Sequence, residues 1–387
     1  MKHNRAGDAL KPMAGRVESE LTKSGCRAYG WAFDVEGLGL LHNECVEMQP
    51  NSTIKIYTAG AALLALDPQA RLRTKLRITR PPDVNGASNG DLNLIASGDP
   101  LLAGEDLENM AEAAAGSGLL RVKGDLLIDI SRHDGLTRVE GWESFFVPRF
   151  LGPLSAFALD QNRWRSDRAF VKSPVIFNAQ RLRNLLEEKG VQTEGGIKIA
   201  KAKASGTNIA GVASPTVLEM VRTILKGSNN FVSEQIVKEM GAAKGGSTVG
   251  GLAVMSGVAA DLGAQGPHLA VDGSGLSRRN RDTPMRQVTW LRAIDESWVG
   301  PMFVESLLVA GSEGNLSGRL KDPLTCGKVF AKTGTRPFGG TVNLAGFAET
   351  PSGRRMRFSF MISGAKSVAG GQRAIDQALI GALSACP

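Results

Sequence analysis

The run Ile56-Tyr57-Thr58-Ala59-Gly60-Ala61-Ala62-Leu63-Leu64-Ala65-Leu66 is apolar, rich in Ala and Leu, and long enough for three buried turns of helix. It is preceded by Pro50-Asn51-Ser52-Thr53-Ile54-Lys55. Ser52 therefore falls near a helix N-terminus. In the first turn, Ser52 and Lys55 share one face, with a rise of roughly 4.5 Å between their α-carbons. A lysine deprotonated by burial or by a neighbouring cation can take the proton of a serine hydroxyl, which is otherwise a weak nucleophile. Amides at the helix start would favour negative charge developing beside that serine. S-x-x-K alone also describes an ordinary N-capping Ser with a solvated Lys, so the pattern needs partners elsewhere.

A chain of 387 residues has room for two domains. At 42% hydrophobic content it reads as soluble and globular, and no run approaches the roughly 20 apolar residues of a membrane span. The formal charge of +8 favours anionic surroundings, and peripheral association with an anionic envelope surface is compatible with it. Nucleic acid is disfavoured, because the Lys and Arg residues are dispersed and aromatic residues are only 5% of the chain. Cys26, Cys45, Cys326 and Cys386 lack C-x-x-C spacing, and His3, His42, His133 and His268 lie far apart, so no structural metal site is expected. Cys26 and Cys45 flank an expected hairpin, Arg27 to Asp34 and Leu38 to Asn43 about Glu36-Gly37. They could face each other across its open end, although free thiols fit equally well. Met1 to Gly15 is polar and shows no apolar leader core. Either a leader has been removed, or the start is placed late, or the protein is not exported.

Val17 to Ser24 reads as a short helix and Arg71 to Thr79 as a strand, after which Pro81-Pro82-Asp83-Val84-Asn85-Gly86 breaks the pattern. Strands at Asp91 to Ala96 and Asp125 to Ile130 alternate with helices at Leu107 to Ala115 and Asn178 to Glu188; Gly190 to Ala200 looks extended. Ala202 to Gly206 reads as a return linker. The expected organisation is an inserted mixed α/β domain over residues 74–206, splitting a domain made of 1–73 and 207–387. Helices at Pro215 to Leu225 and Phe231 to Met240 flank Lys226-Gly227-Ser228-Asn229-Asn230. The Gly-rich stretch Gly245 to Gly251 lacks the spacing of a phosphate loop and reads as a helix entry. Val329 to Thr333, Thr341 to Glu349 and Arg355 to Ser363 read as strands, the last two as antiparallel neighbours, with a terminal helix over Gln372 to Leu383.

Three separated triplets now stand in order: Ser52-x-x-Lys55, Ser228-x-Asn230 and Lys332-Thr333-Gly334, the set found in penicillin-binding proteins and serine β-lactamases. Over most of its length the chain also resembles the D-alanyl-D-alanine carboxypeptidase/endopeptidase family of class C low-molecular-mass penicillin-binding proteins, peptidase family S13. The resemblance rests on Lys55 to Leu66, Gly90-Asp91-Leu92 with Gly98-Asp99-Pro100, Gly124-Asp125-Leu126, Asp272-Gly273-Ser274-Gly275-Leu276-Ser277-Arg278 with Asn280, and Lys332-Thr333-Gly334-Thr335. It implies an α+β fold in which a transpeptidase-like domain, an antiparallel sheet between helical layers, is interrupted by an insertion. Two departures stand out. Asn162-Arg163-Trp164 runs almost directly into Pro174, which leaves little room for the further small β-rich domain many members carry, and Asn51 stands where members usually have Ala.

The resemblance implies that Ser52 attacks the carbonyl of the penultimate D-alanine, that Lys55 accepts its proton, and that Ser228 relays a proton to the leaving amine. It implies that Asn230 holds a substrate amide and helps position Lys55, that Lys332 supplies positive potential, and that Thr333 and Thr335 of the Lys332-Thr333-Gly334-Thr335 segment offer hydroxyls to the terminal carboxylate. The backbone amides of Ser52 and Thr335 would form the oxyanion hole. No cofactor or metal is implied. The expected partners are peptidoglycan stem peptides, with β-lactam antibiotics as covalent inhibitors, in a periplasmic or cell-envelope setting. Oligomeric state stays open. The rival readings are a β-lactamase-like hydrolase and a non-catalytic peptidoglycan-binding protein. A Ser-His-Asp hydrolase finds no G-x-S-x-G elbow. Glu313-Gly314-Asn315-Leu316-Ser317 is superficially similar to a β-lactamase acidic loop but reads as structural from its place just before Lys332.

Overall fold

The computed structural model describes residues 10–23, 25–43, 46–164, 169–170, 173–336 and 339–387. They form two compact units: one holds the residues up to Leu66 together with Val221–Ser233 and Leu252–Pro387, the other Asp67–Met220 and Glu234–Gly251.

The first unit is built on a six-stranded sheet in the order Leu308–Val309, Val329–Arg336, Thr341–Glu349, Arg355–Ser363, Ala28–Val35, Gly39–His42. Each adjacent pair is antiparallel. Side chains alternate between faces along such strands, so the sequence of each strand sets what lies above and below it. Trp31, Phe33 and Val35, Val342 and Leu344, and Met356, Phe358, Phe360 and Ile362 point into one core, closed by Lys11–Lys23 and Val368–Ser384 through Met13, Val17, Ile375 and Leu379. Truncating a fully buried ring such as Phe358 to Ala would cost about 3–5 kcal/mol. The opposite face carries Asn343, Arg357 and Ser359, which take polar partners, and packs on the helix Pro284–Asp295. The helix Lys55–Ala65 is buried along almost its whole length, as its apolar sequence requires, and Ile56 O accepts the indole N–H of Trp290 at 3.0 Å.

The second unit is mixed α/β. Its five-stranded sheet runs Ile197–Ile199, Leu126–Asp129, Leu92–Ile95, Arg71–Ile78, Thr207–Thr216, parallel at the first two junctions and antiparallel at the others. The helices Gly104–Gly116 and Pro174–Glu188 contribute Leu107, Met110, Leu182 and Leu186 to its core. Residues 74–206 fall inside this unit, which also takes in its flanks because Arg71–Ile78 and Thr207–Thr216 pair with each other. It includes residues 234–251 as well, where Gln235 donates to Ser155 O at 2.6 Å and Arg132 meets the Glu239 carboxylate.

The first helix is longer than the sequence suggests, starting at Lys11, and Ser24 lies outside the described residues. The strand Thr207–Thr216 follows the expected linker Ala202 to Gly206 in a stretch with no assigned element, and it takes up Pro215 and Thr216, so the helix begins at Val217 and not at Pro215. Between Asn162 and Pro174 there is a short hairpin, Arg163–Trp164 with Ala169–Phe170. The expected hairpin of Ala28–Val35 and Gly39–His42 is present, whereas Cys45 lies outside the described residues.

Candidate active site

Every residue singled out for chemistry lies in the first unit. Asn51–Ile54 is a turn of 3-10 helix that continues into Lys55–Ala65. Asn51 has φ 47, a left-handed conformation that asparagine tolerates better than most residues. Several bonds pin the turn. Pro50 O accepts the Thr53 amide at 3.1 Å, the Thr53 hydroxyl at 2.7 Å and Asn343 Nδ2 at 2.7 Å. Thr53 Oγ1 in turn accepts Gln287 Nε2 at 3.0 Å, and Gln287 Oε1 accepts the Ser359 hydroxyl at 2.8 Å.

Lys55 is fully buried. Its Nζ lies 3.2 Å from Ser52 Oγ, 2.8 Å from Asn230 Oδ1 and 2.5 Å from the carbonyl oxygen of Ser274. These acceptors hold the amine at the hydroxyl. The carbonyl is supplied by the Asp272–Arg278 loop, which Asp272 folds around itself: its Oδ1 accepts the Gly275 amide at 2.9 Å and Asn280 Nδ2 at 2.7 Å, and its Oδ2 accepts the Ser277 amide at 2.6 Å. Thr58 Oγ1 ties the loop to the helix through Gly273 O at 2.8 Å. Gly275 is obligatory here, because its φ is 85° and a Cβ would stand 1.9 Å from Asn51 O.

Ser228 follows the helix Val217–Lys226 and precedes Asn230–Met240; it too is left-handed, with φ 51. Asn229 caps the second helix by accepting the Val232 amide at 3.0 Å, which sets Asn230 at its first position. Lys332 is fully buried on Val329–Arg336 and donates to Ser228 Oγ at 2.9 Å and to Thr333 O at 3.1 Å. Burial first, and then the positive charge of Lys55, push the Lys332 amine well below the ordinary lysine range. Gly334 faces the Asn51–Ile54 turn, where a Cβ would lie 2.8 Å from Pro50 O and 3.2 Å from Thr53 N. Thr333 is buried and its Oγ1 accepts Asn315 Nδ2 at 2.8 Å; Thr335 is exposed.

The structure thus brings Ser52, Lys55 and Asn230 into one hydrogen-bonded set and Ser228 and Lys332 into a second, near enough for the charge of Lys55 to act on Lys332, with Thr333, Gly334 and Thr335 on the strand that carries Lys332. Sequence reasoning passed over two contributors. The Ser274 carbonyl could have been suspected from the Asp272-Gly273-Ser274-Gly275 block, whose turn chemistry was legible but whose partner was not. Asn315 carried no signal beyond its nearness to Lys332. Glu313 is held by Lys226 Nζ at 2.7 and 2.8 Å and by the Val309 amide at 3.1 Å. Among the described residues there is no cluster of side chains suited to a metal ion.

A serine and a lysine on one helical turn, beside a sheet flanked by helices and carrying a second lysine, belong to the serine β-lactamase and DD-peptidase class of folds. A class A β-lactamase from Bacteroides cellulosilyticus superimposes with a TM-score of 0.52 at 12% identity over 99% of both chains. Much nearer in structure is penicillin binding protein 4 (dacB) from Haemophilus influenzae, with a TM-score of 0.82 at 22% identity over 94% of this chain and 98% of that one. Carboxypeptidase DacB of Mycolicibacterium smegmatis is 31% identical over 367 residues, 88% of this chain and 76% of the relative. The D-Ala-D-Ala carboxypeptidase 3 (S13) family profile matches residues 40–168 and 165–384, and the chain belongs to that family. It is accordingly a serine-type D-Ala-D-Ala carboxypeptidase, a hydrolase of the penicillin-binding kind.

Proposed function

We propose that Ser52 is the nucleophile of this carboxypeptidase and that the chain cleaves the D-alanyl-D-alanine end of peptidoglycan stem peptides, with endopeptidase action on related cross-links. The observation that carries the reading is Lys55 Nζ at 3.2 Å from Ser52 Oγ, buried and held from two other sides. In its neutral form Lys55 takes the Ser52 proton as Oγ attacks the carbonyl of the penultimate D-alanine, and the amides of Ser52 and Thr335 receive the oxyanion. The leaving D-alanine needs a proton at its nitrogen. Ser228 relays to it the proton that Lys55 took, so that the Ser228 hydroxyl is restored, and Lys332 at 2.9 Å stabilises that oxygen during the transfer. Asn230 shares its amide between Lys55 and the substrate backbone, while Lys332, Thr333 and Thr335 receive the terminal carboxylate. Gly334 lets the strand approach the turn. Water then hydrolyses the ester on Ser52.

β-Lactams mimic the scissile amide and would acylate the same oxygen; the Haemophilus influenzae relative has been crystallised with a β-lactam. A cell-envelope location suits this substrate, and no described helix is long and apolar enough to cross a membrane. The test is release of D-alanine from an N-acylated stem pentapeptide. The wild-type protein should release it and Ser52→Ala should not. Rapid turnover of penicillin without D-alanine release would favour a β-lactamase, and binding to cell-wall sacculi without release would favour a binding module.

A further inference from the structure

The segment Glu313–Ser317 touches both arms of the site. On one side Glu313 grips Lys226, two residues ahead of Ser228, with both carboxylate oxygens. On the other, Asn315 Nδ2 donates to Thr333 Oγ1 at 2.8 Å. The loop has little freedom. Gly311 N donates to Leu316 O at 3.0 Å, the Leu316 side chain is buried in the sheet core, and Glu313 Oε2 accepts the Val309 amide.

A threonine hydroxyl has one proton and two acceptor lone pairs. Asn315 is exposed, on a loop held by its neighbours; when one lone pair of the threonine is filled by its amide N–H, the proton is left to point elsewhere. We propose that Asn315 is a positioning residue that orients the Thr333 hydroxyl so that its proton is donated to the anionic end of the ligand. This rests on the reading of Thr333 as a carboxylate contact. The opposite amide orientation, with Oδ1 toward Thr333, would draw the proton to Asn315 and away from the ligand; hydrogen-bond polarity is therefore what the experiment must read.

The probe is a β-lactam with a free carboxylate, compared with its methyl ester, and the readout is the rate of Ser52 acylation by each. Asn315→Asp keeps the shape but can only accept from Thr333; Asn315→Leu removes the donor. The acid-to-ester rate ratio should fall about ten-fold in Asn315→Asp, the scale of a lost hydrogen bond to a charged group, and by a smaller factor in Asn315→Leu. In a Thr333→Val background, Asn315→Leu should change the ratio no further. Acid and ester rates falling together, an unchanged ratio, or full additivity with Thr333→Val would overturn the proposal. Ester acylation in each variant shows that its site is folded. A wild-type protein that forms no Ser52 adduct with the acid would instead defeat the underlying assignment of the nucleophile.

Discussion

Lys332 Nζ stands 2.9 Å from Ser228 Oγ, with the amine completely buried and the serine in a left-handed conformation. The charge is therefore carried into the site at a desolvation cost, and its partners are neutral oxygens. Replacing it by a long apolar side chain removes the charge without removing the packing. Lys332→Met should slow acylation by a carboxylate-bearing β-lactam about 10- to 100-fold while leaving the thermal midpoint unchanged or higher, as found when buried charges give way to apolar groups. Stopped-flow acylation and calorimetry on the same preparations check both halves.

The same amine predicts a pH dependence. Its affinity for a proton is lowered by burial and by Lys55, so it becomes neutral at a pH well below that of an ordinary lysine. Recognition of a free carboxylate should weaken on the alkaline side as this proton is lost. The acid-to-methyl-ester acylation ratio should fall with rising pH in the wild type and stay flat in Lys332→Met.

Much of this was legible before the structure. Thr341–Glu349 and Arg355–Ser363 are long, β-branched and aromatic, and each lies in the sheet as expected. The three motifs could be ordered but not joined, because 175 residues separate Lys55 from Asn230 and no local periodicity reports such a contact. Thr207–Thr216 is not legible in the sequence because it is a partly exposed edge strand containing Gly211 and Pro215, with neither apolar alternation nor the usual composition. The helix Pro284–Asp295 did carry its signal, a capping Thr283 that accepts the Arg286 amide and a proline at the first position, and was passed over. The glycines of the Asp272–Arg278 loop announced a turn, but their tolerance of a backbone at van der Waals range is visible only against Asn51.

Gly275→Ala tests that close approach. A methyl group would meet Asn51 O at 1.9 Å, and the φ of 85° is itself unfavourable for alanine. The loop or the Asn51–Ile54 turn must move, so acylation should fall at least about ten-fold and stability by roughly 2 kcal/mol or more. Gly257→Ala, in a helix and with open space around its α-carbon, is the matched control and should be neutral or mildly stabilising.

Asp282 is fully buried, bridged by its backbone to Met48, and among the described residues its carboxylate oxygens accept no well-formed hydrogen bond. Burial pushes its carboxyl up to about 7. An acid whose folded value is raised is accommodated best when protonated: its full contribution is present below the unfolded value and is lost as pH rises through the folded one. Between pH 5 and pH 8 this group should remove about 2.5 kcal/mol of stability. Asp282→Asn should flatten that part of the slope in urea unfolding, while Asp99, whose carboxyl burial raises to about 6, contributes alike in both proteins.

The central claim is that the Ser52 oxygen, activated by Lys55, is the one atom that takes the acyl group. Intact-protein mass spectrometry after exposure to benzylpenicillin, followed by peptide mapping, measures this directly. The account predicts one added penicilloyl group, located on the peptide that contains Ser52 and missing from Ser52→Ala with its thermal midpoint nearly unchanged. An adduct on another residue, or an unmodified wild-type protein with no penicillin consumed, would contradict it.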